Sequence, residues 1–164
     1  MSQSPTLPVY DARLSFGVST YCSSRSCKDI KEFMPHVFVM SFEEAELLRL
    51  RAEAFLRNAE RLYAEGEYDL AAFSIEQCCQ LMLKYKLLFK TSAYPRTHSL
   101  IRVVRELANA AEGAKRLLED IVMLTKIEDA YIGSRCLPRR YEKEEVEAML
   151  KYVKEKFRPT IDEL

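Results

Sequence analysis

Tryptophan is absent from this 164-residue chain, glycine occurs four times and histidine twice. With so little glycine, neither GxGxxG nor GxxxxGK[ST] occurs, so the loops that cradle phosphates on backbone N–H groups are excluded. His36 and His98 lie too far apart for an HExxH metal helix or a Cys2His2 finger, so no metal and no cofactor is expected. Long apolar runs are missing too. The longest are four residues, as in Ile121–Leu124, against roughly 20 for a membrane span. No charged start leads into an apolar stretch, so no signal peptide is expected and the chain is read as cytoplasmic, with no membrane partner. Charge of either sign is not in excess: 25 Lys+Arg stand against 25 Asp+Glu. That balance excludes wholesale electrostatic binding to nucleic acid and leaves room only for a local basic patch. The five cysteines are odd in number and irregular in spacing, which is not a disulfide framework.

What is present is helical periodicity. Residues 1–39 hold Ser-Pro, Leu-Pro and Met-Pro steps and no sustained period, and are read as a weakly ordered extension or an over-extended gene start. Residues 40–164 form the domain. Ser41-Phe42-Glu43-Glu44 has the form of a capping box, which predicts a first helix over 42–65 with Gly66 as its stop. The second helix, 67–90, is apolar on more than one stripe: 15 of the 23 residues from Tyr68 to Lys90 are apolar. It is expected to be central, with surface to spare for a homodimer. One polar line survives on it, Asp69, Glu76, Gln80 and Lys84, which lines a groove or is simply a solvent edge. Thr97 is expected to cap a third helix through Ala111, with His98 in its first turn. A fourth runs over 114–131, with Gly133 and Pro138 marking the loop after it. A fifth runs over 142–157, ended by Pro159. The fold class is all-α, an antiparallel up-and-down bundle of about five helices with short connections.

Ala59, Leu62, Tyr63, Gly66, Tyr68 and Ala72 have the look of a tetratricopeptide repeat, but a 34-residue step carries Gly66 to Leu100 and Tyr68 to Arg102, so no array follows. Residues 41–157 instead resemble the HEPN domain, a prokaryotic helical module often encoded beside a minimal nucleotidyltransferase. The matching pieces are Ala52-x-x-Phe55-Leu56-x-x-Ala59, Gly66-x-Tyr68-Asp69-x-Ala71 and Phe73-x-x-Glu76-Gln77-Cys78-x-x-x-Met82-Leu83-Lys84. Further along come Pro95-x-Thr97-His98-Ser99-Leu100 and Asp129-Ala130-Tyr131-x-x-Ser134-Arg135-x-x-Pro138. The resemblance implies a five-helix bundle, often dimeric. It implies one of three roles: nucleotide binding, partnership with a small nucleotidyltransferase in a toxin–antitoxin-like pair, or metal-independent RNA cleavage. Fold alone does not choose among them.

Members that cut RNA carry Arg-x4–6-His, the His to move a proton and the Arg fork to stabilise phosphate charge. Here the Arg positions before His98 hold Thr91, Ser92 and Ala93, and those before His36 hold Asp29, Ile30 and Lys31. After Arg135 the His positions hold Arg140, Tyr141 and Glu142. The motif is absent, so the reading leans away from an enzyme. A basic cluster remains: Arg135, Arg139, Arg140 and Lys143 are candidates for contact with a nucleotide or RNA phosphate, or form a solvated face. Tyr131, Tyr141 and His98 would shape the pocket. The leading expectation is a binding and partner module. The alternatives are a ribonuclease with a nonstandard site of Arg135, Tyr141 and His98, and a helical interaction domain without a ligand.

Overall fold

The computed structural model describes the backbone of residues 30–164 and side chains from residue 42 onward; the expectation for residues 1–29 falls outside the described part. The chain forms α1 (Ile30–Glu65), α2 (Tyr68–Thr91), α3 (Leu100–Ala110), α4 (Lys115–Leu118), α5 (Ile121–Cys136), α6 (Lys143–Tyr152) and α7 (Arg158–Glu163). Among the described residues there is no strand. The all-α bundle expected from periodicity is the architecture.

The α1–α2 hairpin is its spine. Gly66 turns the chain with φ +82. Glu67 N–H bonds back to Leu62 O at 2.9 Å and Gly66 N–H to Tyr63 O at 3.2 Å, the double closure of a Schellman motif, which places the residue after the helix in the left-handed region. Asn58 Nδ2 then staples the two helices by donating to Ser74 Oγ at 3.0 Å. Helix α2 packs against α1, α3, α5, α6 and α7 and is central, as its apolar excess predicts. Ala71, Ala72, Ile75, Cys78, Cys79, Leu83 and Leu87 all lie in one continuous core with Leu107, Leu124, Ile127, Met149 and Phe157. Burying one such side chain stabilises by about 1.5–3 kcal/mol. The surplus apolar surface of α2 is consumed inside the bundle, with Leu70 and Phe89 as its large exposed residues.

Several boundaries differ from those expected. Helix α1 begins at Ile30, upstream of Ser41; a cap is worth only about 1 kcal/mol, and the helix runs through Ser41 rather than starting there. The cap of α3 is Ser99, whose side chain accepts from Arg102 N–H, and Thr97 Oγ1 instead accepts from Ser99 N–H at 3.1 Å. His98 therefore precedes the helix rather than lying in its first turn. The segment around Gly113 is a short 3-10 turn, Glu112–Ala114, and α5 continues to Cys136. Gly133 is thus helical, not a loop marker. The Tyr141 hydroxyl would lie 2.8 Å from a Cβ there, so glycine is required by close approach. Pro159 does not end the last helix. A π turn over Val153–Phe157 precedes it, with Arg158 N–H bonding to Val153 O. The wider turn resets the ladder, and Pro159 falls in the first turn of α7, where a missing N–H is tolerated.

Candidate functional site

The connection before α3 and the last two turns of α5 bring His98, Tyr131 and Arg135 together, although 33 residues separate His98 from Tyr131. The rings of His98 and Tyr131 stack with centroids 4.3 Å apart and 17° between planes. Tyr131 Oη is 3.3 Å from His98 Nε2. One turn on, the Arg135 guanidinium lies 4.2 Å from the Tyr131 ring centroid and 5.0 Å from that of Phe73 on α2. Its Nε donates to Tyr131 O at 2.8 Å, which fixes the arm. No carboxylate among the described residues pairs with Arg135, as the ion pairs of the neighbouring cations show by contrast: Arg139 Nη2 sits 2.7 Å from Glu145 Oε1, and Lys126 3.3 Å from the same oxygen. A guanidinium held by stacking with an unpaired fork is suited to a phosphate.

Beside this stack opens a cleft of about 550 Å³, lined by His98, Glu128, Asp129, Tyr131, Ile132, Gly133, Leu137 and Arg139, with Ser99. Glu128 does not face it as a free acid. Its Oε2 accepts from Ser99 Oγ at 3.1 Å and from Ile101 N–H at 3.0 Å, so it fastens the start of α3 to α5 and sets the distance between His98 and Tyr131.

The other candidates are placed differently. Arg140 lines a separate cleft of about 470 Å³ with Gly66, Glu67, Tyr68, Asp69, Tyr141 and Glu142. Three acids there share the space with one Arg. Lys143 is exposed at the first position of α6. The four cations clustered in sequence are therefore not one patch. Tyr141 is 3% exposed, and its hydroxyl is buried with no hydrogen-bond partner; burial raises its pKa further above the ordinary value. It is a packing residue whose ring carries the Arg139 guanidinium at 4.6 Å, and its hydroxyl is not available to a phosphate. Asp69 Oδ1 accepts from Tyr141 N–H at 2.7 Å and pins that segment to α2.

The polar line on α2 is neither an open groove nor a solvent edge along its middle. Glu76 is 0% and Gln80 2% exposed, because α3 and α5 pack over that side of α2. Burial pushes the Glu76 carboxyl up to about 7, against the lowering effects of Gln77, Lys84 and Arg135. Lys84 is half-buried, lies 5.7 Å from the Tyr94 ring centroid and has its pKa lowered by burial. Nothing in the sequence marks Phe73, Glu128 or Asp129 as parts of a site. Only the stacking of α5 on α2 reveals that Phe73 supports Arg135. Among the described residues no cluster of three or more His, Cys, Asp or Glu is placed to hold a metal ion. Nor is any described helix long and apolar enough to cross a membrane.

Comparison with known proteins adds one finding. The family model described as the HEPN domain matches residues 45–162, from the start of the α1 core stripe at Ala45 almost to the end of α7. No curated protein and no solved structure matches the chain.

Proposed function

The chain belongs to the HEPN domain family, and from that membership we propose that it is a binding and partner module that takes a nucleotide or RNA phosphate at the His98–Tyr131–Arg135 stack. The observation that carries this reading is the Arg135 fork, free of a carboxylate partner and held over Tyr131, whose side chain lines a cleft of about 550 Å³. Arg135 contacts the phosphate, Tyr131 and His98 offer a stacking platform, and Arg139 lies on the far rim. Arg139 is the weaker contributor, since Glu145 already holds it. Titration of ATP and of a short RNA by calorimetry tests this. Binding that Arg135→Ala abolishes supports it, and no binding of either probe leaves a helical interaction domain.

A second reading is favoured by one observation: His98 and Arg135, far from any Arg-x4–6-His spacing, both contact Tyr131. An imidazole and a guanidinium around one phosphate are the groups a metal-independent ribonuclease needs. Incubation with labelled RNA in the absence of added metal separates the two readings. Cleavage lost in both His98→Ala and Arg135→Ala replaces binding by catalysis.

The partner side of the reading is a homodimer that works beside a small nucleotidyltransferase in a toxin–antitoxin-like pair. It is supported by the family and by Val122, Ile132 and Leu137, which are 81%, 54% and 56% exposed on and after α5. Ile132 and Leu137 line the cleft itself. Apolar side chains exposed in this way favour association. Sedimentation at micromolar concentration and co-purification with a nucleotidyltransferase encoded next to it are the checks; a monomer that retains no such partner counts against it.

A further inference from the structure

Two polar side chains lie inside the bundle with incomplete sets of partners. Glu76 and Gln80 are buried, and Oε1 of each has no hydrogen-bond partner. Four residues apart on α2, they share one helix face. Gln77 Nε2 donates to Glu76 Oε2 at 2.6 Å, and Gln80 Nε2 donates to the Thr97 carbonyl at 2.6 Å. Thr97 Oγ1 accepts from Ser99 N–H at 3.1 Å, and Ser99 Oγ donates to Glu128 Oε2 at 3.1 Å. His98 is therefore suspended between two pinned residues, Thr97 held by α2 and Ser99 held by α5. Among the described residues its own ring stacks and hydrogen-bonds with Tyr131 alone.

Buried acceptors are almost always satisfied. Two acceptor oxygens on one helix face with no donor between them are one proton short, and a protonated carboxyl is the side chain that supplies it. We propose that Glu76 and Gln80 form a buried relay that positions His98: the Glu76 carboxyl, protonated, donates to Gln80 Oε1, and this holds the Gln80 amide with its Nε2 towards Thr97. An amide presents oxygen on one side and NH2 on the other. Ionised Glu76 calls for a donor, so the amide reverses, its oxygen meets the Thr97 carbonyl, and the bond that holds the segment before His98 is lost. The charged and titratable groups around Glu76 are Lys84 and Cys79 on its own helix and Arg135 and Glu128 on α5. Desolvation outweighs the two cations and keeps the carboxyl neutral up to near pH 7. Gln80 and Glu76 are positioning residues; neither touches the cleft.

The effect on ligand affinity rests on the phosphate-binding reading above, whereas the placement of His98 does not, and the test separates them. The His98 ring protons of the full chain without ligand are followed by NMR between pH 6 and 9, with His98→Gln used to assign them. Stacking on Tyr131 shifts them upfield. Wild type is expected to show that shift at pH 6 and lose it by pH 9. Glu76→Gln, whose amide donates to Gln80 at any pH, keeps it throughout, and Gln80→Leu lacks it throughout while melting cooperatively. Wild type and Glu76→Gln differ only at residue 76, so the difference between their pH courses reports Glu76. ATP affinity is expected to fall about fivefold wherever the shift is lost. Identical pH courses in wild type and Glu76→Gln overturn the relay, as does a retained shift in folded Gln80→Leu. If Gln80→Leu does not fold, the first comparison decides alone. If ATP binds none of the proteins, the binding reading fails while the ring signal still decides the relay.

Discussion

The two clefts on either side of the Gly133–Tyr141 contact draw on one run of sequence, yet they hold their guanidinium groups differently. At the first, Arg135 stacks on Tyr131, which lines the cleft together with Glu128 and Asp129, and Glu128 ties down Ser99 and Ile101. The cleft of Arg140 has Glu67, Asp69 and Glu142 around a single guanidinium. Four cations within nine positions read as one basic patch on paper. In space the burial of Tyr141 divides them, and Arg140 shares its cleft with Glu67, Asp69 and Glu142.

The largest test of that contrast lies under the first cleft. The Glu76 carboxyl stands at about 7 against an ordinary value of 4.5. With the folded value raised, the folded state holds the proton more tightly. Its contribution is complete below pH 4.5, declines as pH rises and is lost above about 7. Glu76→Gln, which does not ionise, should therefore exceed wild type in stability at pH 8 by up to about 3 kcal/mol. Urea unfolding at pH 8 and at pH 4.5 checks this; an advantage that does not shrink at the lower pH refutes the burial argument.

Next comes the contrast itself. Arg135→Ala should weaken ATP binding at least about tenfold, while Arg140→Ala should change it less than about twofold, because its neighbours already screen it. Equal losses would make the two clefts one site.

The wall between the clefts gives the third test. A Cβ on Gly133 would sit 2.8 Å from the Tyr141 hydroxyl, so Gly133→Ala should cost about 1–3 kcal/mol by overpacking. Tyr141→Phe removes that hydroxyl, which has no partner to lose, and should be close to neutral. The double variant should then recover most of the Gly133→Ala loss, a coupling that thermal melts of the four proteins would measure. Simple additivity would show that the two residues do not press on each other.

The smallest effect belongs to the rim of the second cleft. Gly66 holds φ +82, and a Cβ added there would meet nothing within 4 Å. Gly66→Ala should cost about 1 kcal/mol through backbone strain alone and leave ATP binding unchanged. A larger loss in the melting curve would mean that the hairpin turn carries packing as well.

Particular residues show why some of this was legible and some was not. The Gly66 turn and the central α2 follow from local rules, since a period of 3.6 and a glycine act on neighbours a few positions away. The helix ends were less legible. Thr97 and Ser99 are both competent caps, and the choice fell to Ser99 because Glu128, 29 residues further on, accepts from its hydroxyl. Pro159 reads as a stop until a π turn makes room for it. In the site, Arg135, Tyr131 and His98 stand out in the sequence and do meet in space, but Tyr141 was not distinguishable from Tyr131. Both are tyrosines beside basic residues, and only packing against Gly133 buries one of them.

By itself the sequence determined the class of the fold, the central helix, the family and the absence of the Arg-x4–6-His spacing, because periodicity, composition and spacing are properties of the chain read along its length. The tertiary structure alone decided that His98 stacks on Tyr131, that Arg135 is held by the Tyr131 and Phe73 rings rather than by a carboxylate, and that Glu76 and Gln80 are interior rather than solvated. Those are outcomes of which helices lie against which. Burial and ion pairing depend on neighbours in space, and no local pattern encodes a neighbour contributed by another helix.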